Sequence, residues 1–163
     1  MFPEHLIAMA EDVIETLKRQ NLHLATAESC TGGLIAGCLT AVAGASDVLN
    51  HGFITYANQA KRDLLGVPEA HLLEHGAVSE TVSRAMAEGA IAGGGADVGV
   101  SVTGIAGPGG GSAEKPVGLV HIAVAQKGKE TLHERHLFSG DRHSVRLQTI
   151  EAAFRLLLSR KET

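Results

Sequence analysis

Leu22-His23-Leu24-Ala25-Thr26-Ala27-Glu28-Ser29-Cys30-Thr31-Gly32-Gly33 is the stretch from which the fold can be read. Its opening residues predict a short strand over about 22–27, and beyond it Leu34, Ile35, Cys38, Leu39 and Val42 recur at the spacing of one helical face. A helix is therefore expected over about 32–42, with a tight turn between the two elements. Consecutive glycines let the backbone approach a ligand closely, and the first N–H groups of a helix have no partner within it. Ser29 thus stands where a nucleophile would sit beside an oxyanion site built from the N–H groups of Thr31, Gly32 and Gly33. Ser and Thr at such a place are equally the residue types that cap a helix.

Outward from this junction, Leu6, Ala10, Val13, Ile14 and Leu17 predict an amphipathic helix over 4–20. Val48 to Tyr56 reads as a second strand, and Asn58 to Leu65 as a helix capped by Asn58 and stopped near Gly66 and Pro68. After a loop at 67–78, Ser79 can cap a helix running to about Ala92. In Val98-Gly99-Val100-Ser101-Val102-Thr103 valines alternate with small residues, the pattern of a strand with one tightly approached face. Val117 to Ala125 reads as a strand covered on both sides; Lys127-Gly128-Lys129 turns it into a polar edge strand, Thr131 to Phe138. Asp141 or Ser144 can cap a last helix carrying Leu147, Ile150, Phe154, Leu157 and Leu158 at core spacing.

Strands interleaved with helices in this way predict one α/β domain over 1–163. It is a three-layer α/β/α sandwich with a five-stranded, mostly parallel mixed sheet, the last hairpin supplying the antiparallel strand. If the first three strands are parallel, the segments holding Ser29, Tyr56 to Lys61 and Thr103 to Gly111 all leave the carboxyl edge of the sheet, where open α/β sheets bind ligands.

Composition narrows the function. A chain of 163 residues, 44% of them hydrophobic, suffices for one compact core. Its net charge of −4 and lack of a basic cluster argue against direct nucleic-acid binding, and a single Tyr with no Trp leaves few platforms for stacking bases. Neither a secretory signal pattern nor a membrane-length apolar run is present, so a cytoplasmic protein without membrane association is expected. Cys30 and Cys38, about two turns apart on the expected helix, are too distant for a disulfide.

A serine nucleophile needs a base, and Lys61 falls in the first turn of the helix after Asn58. The positive helix end and burial in a cleft both disfavour an ammonium, so a lysine there can take a proton from Ser29; it can equally be a solvated surface lysine. Tyr56, the single tyrosine, could stack on a ring or donate a hydrogen bond there, or be a half-buried strand aromatic. Cys30 is a rival nucleophile or a small buried side chain. The run from Thr103 through Gly104 and Gly107 to Ser112 could cradle a substrate, but it lacks the Gly-Lys-Ser/Thr ending of a P-loop and could be a surface turn. Lys115 and Arg142 nearby suit an anionic substrate. His71 and His75 share a helical face, yet no carboxylate or cysteine completes a set, and His133 and His136 would face opposite sides of a strand. No metal and no cofactor is expected.

Several ordered motifs resemble the CinA C-terminal domain, or nicotinamide-nucleotide amidohydrolase, family across nearly the whole chain. They are Glu28-Ser29-Cys30-Thr31-Gly32-Gly33, Tyr56 to Lys61 followed by Leu65-Gly66-Val67, Gly76-Ala77-Val78-Ser79, and Thr103 to Pro108 leading to Lys115-Pro116-Val117-Gly118. The resemblance implies hydrolysis of the carboxamide of nicotinamide mononucleotide, a small-molecule nucleotide, to nicotinic acid mononucleotide and ammonia in pyridine nucleotide recycling. It implies Ser29 as nucleophile, Lys61 as base, and a pocket lined by Tyr56, the Thr103 to Gly107 loop and Arg142. The family often carries a further N-terminal domain resembling molybdopterin-binding proteins, for which this chain is too short. The same residues would also suit a Ser-Lys amidase of another small substrate, or a nucleotide-binding module without turnover. Small α/β enzymes of this size commonly form symmetric dimers, so a homodimer or higher homo-oligomer is an open expectation.

Overall fold

Backbone geometry at the two glycines sets the length of the first strand–helix unit. In the computed structural model, which describes residues 1–160, Leu24–Glu28 forms β1 and Leu34–Thr40 forms α2. Gly32 and Gly33 adopt φ of +60° and +100°, left-handed values outside a helix, so α2 starts two residues later than its apolar period suggests. Cys30 consequently lies in the turn and not on the helix with Cys38; both cysteines are free and buried.

Besides a single 3-10 turn at Ala45–Asp47, the remaining elements are α1 (Glu4–Arg19), β2 (Leu49–Ile54), α3 (Asn58–Leu65), α4 (Glu69–His75), α5 (Glu80–Gly94), β3 (Val98–Gly104), β4 (Leu119–Gln126), β5 (Lys129–Leu137) and α6 (Arg142–Ser159). Helix α4 occupies the segment expected as a loop, seating Leu72 against the α5 side of the core. Asn58 is not a cap: the cap position is Ala57, in extended backbone, and Asn58 is the first helical residue. Ser79 does cap α5, accepting from the Val82 N–H, and Asp141, not Ser144, caps α6 by accepting from the Ser144 N–H at 2.8 Å.

The sheet runs β2-β1-β3-β4-β5. β1 pairs in parallel with β2 and β3, whereas β4 is antiparallel to both β3 and β5, so β4 alone runs against the other four. Helices α1, α2 and α6 cover one face over Leu24, Val100, Val102 and Ile122; α5, with α3 and α4 outside it, covers the other over Ala25, Ala27 and Ala123. This is the expected three-layer sandwich. The last three residues of the expected domain, 161–163, lie outside the described residues. No helix among the described residues is long and apolar enough to cross a membrane.

β3 shows how side-chain size positions the site. Its valines enter the α1–α2–α6 core, while Gly99, Ser101 and Thr103 face α5, where Ser101 Oγ donates to the Ser83 carbonyl at 2.6 Å and Thr103 Oγ1 to the Ala77 carbonyl at 2.9 Å. A Cβ at Gly99 would stand 2.1 Å from the backbone oxygen of Ala87. Gly99→Ala is therefore expected to push α5 off the sheet and destabilise the fold by about 3 kcal/mol, the upper range for overpacking, as read from the urea midpoint.

Because β2 and β3 flank β1 on opposite sides, the chain leaves β1 in one direction and returns on the other, which makes a crevice at the carboxyl ends of β1 and β3. Ser29 follows β1, and Gly104 ends β3.

Candidate active site

That crevice holds a cavity of about 270 Å³. Ser29 and Cys30 line it from the end of β1; Tyr56, Asn58 and Lys61 enter from the segment between β2 and α3. Thr103, Gly104 and Gly107 come from the end of β3 and the loop after it, and Arg142 from the start of α6. Thr31, Gly32 and Gly33 do not line the cavity.

Lys61 is the organising side chain. Asn58 opens α3, so Lys61 is the fourth helical residue and points back across the carboxyl edge of the sheet. It is 1% exposed, the largest fully buried side chain among the described residues. Its Nζ lies 2.7 Å from the Thr55 carbonyl, 3.4 Å from the Tyr56 carbonyl and 3.1 Å from Ser29 Oγ. Burial lowers its pKa from the ordinary 10.5, against a smaller opposing effect of the Cys30 thiol. In a neutral amine the two carbonyls take the two N–H groups, leaving the lone pair toward the Ser29 hydroxyl.

Cys30, the rival nucleophile, is pushed up to about 12, mainly by burial, and is a thiol at neutral pH.

Arg142 spans the cavity mouth: Nη1 donates to the Gly107 carbonyl at 2.8 Å and Nη2 to Tyr56 Oη at 3.0 Å. These bonds join the glycine loop to the β2–α3 segment. Tyr56 remains 61% exposed, so its ring is open to a ligand. Lys115 stands apart from the cavity, donating to the His75 carbonyl at 2.5 Å, and so ties the glycine loop to the end of α4.

The oxyanion expectation needs correction at the two glycines. The Gly33 N–H donates to Glu28 Oε2 at 3.1 Å and the Gly32 N–H to the Ser29 carbonyl at 3.0 Å, so neither is available to a ligand. The Thr31 hydroxyl is also taken, by Glu28 Oε2 at 2.5 Å, and the Thr31 carbonyl accepts from Arg146 Nη2 at 3.1 Å. The N–H groups of Cys30 and Thr31 donate to no backbone carbonyl among the described residues. Glu28 and Arg146 thus shape the turn, although the sequence marks Glu28 only as part of the family motif and Arg146 not at all. Strand parity carried a signal for the first: Leu24, Thr26 and Glu28 share the face of β1 that α2 covers. Arg146 lies one helical turn beyond Arg142, and only the docking of α6 reveals its partner.

No group of three or more His, Cys, Asp or Glu side chains among the described residues is placed to hold a metal. His71 and His75 acquire no such companions. His133 instead pairs with His121, Nε2 to Nδ1 at 2.9 Å, while His136 bonds to Glu134.

The family model for the CinA C-terminal domain matches residues 6–161. The chain is 48% identical over 162 residues to a nicotinamide-nucleotide amidohydrolase PncC of Enterobacter agglomerans, covering 99% of this chain and 98% of that one. It is 46% identical over 157 residues to the nicotinamide-nucleotide amidohydrolase PncC of Escherichia coli K12, covering 96% and 95%. It is 53% identical over 157 residues to a CinA-like protein of Akkermansia muciniphila, matching 95% of this chain but spanning only 38% of that longer protein. The crystal structure of the competence/damage inducible protein CihA from Agrobacterium tumefaciens superposes with a TM-score of 0.95 at 47% identity, covering 98% of this chain and 97% of that one.

Proposed function

The chain belongs to the CinA C-terminal domain family, and on that premise we propose that it hydrolyses the carboxamide of nicotinamide mononucleotide to nicotinic acid mononucleotide and ammonia. The observation that carries the reading is a buried Lys61 Nζ at 3.1 Å from Ser29 Oγ, at the edge of a cavity large enough for a small ligand. The names of the two PncC relatives that match over nearly their full length supply the substrate.

Ser29 Oγ attacks the amide carbon as Lys61 Nζ accepts its proton, so that no free alkoxide forms. The tetrahedral oxyanion is assigned to the N–H group of Cys30, the residue beside Ser29 that lines the cavity, one well-aimed donor being worth about 3 kcal/mol in acyl-transfer enzymes. The ammonium of Lys61 then returns the proton to the departing nitrogen, ammonia leaves, and an acyl-Ser29 ester remains. Water attacks this ester, Lys61 taking the water's proton and delivering it to Ser29 Oγ, and nicotinic acid mononucleotide is released. The glycine loop and Arg142 hold the phosphate, and Tyr56 borders the pyridine ring. The reaction is one of pyridine nucleotide recycling, the role we assign to the protein, with the cytoplasm as its site.

Ammonia release from nicotinamide mononucleotide by the purified protein, without added metal, tests the reading; its absence from folded protein would overturn it. Arg142→Ala is expected to raise KM for the mononucleotide at least tenfold, the loss of a charge-assisted hydrogen bond, with a smaller effect on kcat. Tyr56→Phe, which removes one of the two acceptors that orient Arg142, is expected to raise KM about threefold in the same steady-state assay.

A further inference from the structure

We propose that Glu28 is the positioning residue for Ser29: its buried carboxylate closes the nucleophile turn on itself and holds Ser29 Oγ in line with Lys61. The inference rests on the amidohydrolase reading above and adds a residue to it.

Glu28 is 1% exposed, at the carboxyl end of β1, with its side chain on the face covered by α2. Its Oε2 accepts from the Thr31 hydroxyl at 2.5 Å, the Ile35 N–H at 3.0 Å and the Gly33 N–H at 3.1 Å, while Oε1 accepts from the Ala36 N–H at 2.9 Å. Its backbone is held too: the Glu28 carbonyl accepts from the Thr55 N–H at 2.8 Å, and the next N–H, that of Ser29, donates to the Val102 carbonyl at 3.1 Å. Ser29 therefore sits between a strand end anchored to both neighbouring strands and a helix start anchored to the preceding side chain.

A seven-residue helix does not need so demanding an arrangement, because one hydroxyl suffices to cap a helix. Burying a carboxylate is unfavourable unless its oxygens are well bonded, and here four donors together with the positive end of α2 meet that requirement. What the carboxylate adds beyond capping is a rigid bracket across residues 28–36, with Ser29 inside it. Thr55 extends the bracket to the base, since its N–H binds the Glu28 carbonyl and its own carbonyl accepts from Lys61 Nζ. Nucleophile and base are thereby referred to one point of the backbone.

The test uses Glu28→Gln, which keeps the shape but turns an NH2 group toward N–H donors, and Thr31→Val, which removes one arm and leaves the carboxylate in place. For both variants kcat and KM for nicotinamide mononucleotide are measured well below the melting temperature, beside the rate at which a fluorophosphonate probe labels Ser29. The expected result is a kcat at least tenfold lower in Glu28→Gln and about threefold lower in Thr31→Val, KM changing less than twofold and labelling slowing by the same factors. A capping role alone would lower the melting temperature and leave both rates per folded molecule unchanged; that outcome overturns the proposal. Should Glu28→Gln fail to fold, Thr31→Val decides, and unaltered rates in it overturn the proposal. A wild type that is labelled at Ser29 but releases no ammonia removes the substrate assignment and leaves Glu28 to be judged on labelling. A wild type that is not labelled at all leaves no activated serine to position, and the proposal falls.

Discussion

Ser29→Ala is expected to lower kcat for nicotinamide mononucleotide by about four orders of magnitude or more while the protein stays folded and binds substrate with little change in KM. The magnitude follows from the loss of a nucleophile for which no neighbour can substitute. Cys30 is adjacent, but its thiol is pushed up to about 12, mainly by burial, so thiolate is scarce at neutral pH. The fold should tolerate the change because Ser29 is half-buried and its hydroxyl bonds to Lys61 Nζ alone among the described residues. Single-turnover ammonia release and mass spectrometry after acid quench are the decisive measurements: wild type should show an acyl adduct on Ser29 and the variant none. Full turnover by Ser29→Ala would refute the nucleophile assignment.

Lys61→Met is expected to lower kcat by about three orders of magnitude, within the range for loss of a general base that also serves as acid. Methionine suits the test because it fills the volume of a side chain that is 1% exposed, whereas alanine would leave a cavity. Two pH signatures accompany it. Burial lowers the Lys61 pKa from 10.5, so wild-type kcat/KM should rise with pH through a limb whose midpoint lies below that value, as the amine becomes neutral. The linkage to stability has the same sign. The unfolded lysine binds its proton more tightly than the folded one, so wild-type stability increases with pH between the lowered pKa and 10.5. Lys61→Met lacks this dependence and should equal or exceed wild type in stability near neutral pH, the advantage shrinking toward pH 10.5. Denaturant midpoints across this pH range check the second signature, and a Met variant of unchanged activity would remove Lys61 from the mechanism.

Much of the architecture behind these expectations is legible in residue order. Alternation along Val98 to Thr103 marks a strand pressed against a helix on one side, and the structure places Gly99 beneath Ala87. The glycines after Ser29 mark a turn between strand and helix, and their left-handed φ values explain why α2 begins only at Leu34. Short-range rules failed where a tertiary contact outweighed them. The 67–78 segment, punctuated by Pro68 and Gly76, reads as a loop, yet burial of Leu72 against the α5 side of the core supports a two-turn helix. Asn58 is a residue type that commonly caps helices, but Ala57 takes the cap position and Asn58 enters the first turn, facing the cavity.

The residue sequence alone determined the order of the five strands and of the helices other than α4, and the carboxyl edge at which Ser29, Lys61 and Thr103 emerge. These depend on local period, turn chemistry and the handedness of parallel crossovers, which act over a few residues or on topology as a whole. Only the tertiary structure decided which polar groups are free to react. The Gly33 N–H is satisfied from five residues upstream, Arg142 is held by Tyr56 86 positions away, and Arg146 reaches Thr31 across 115. Hydrogen-bond availability and lysine desolvation depend on every atom within a few ångströms, and those atoms come from segments far apart in the chain.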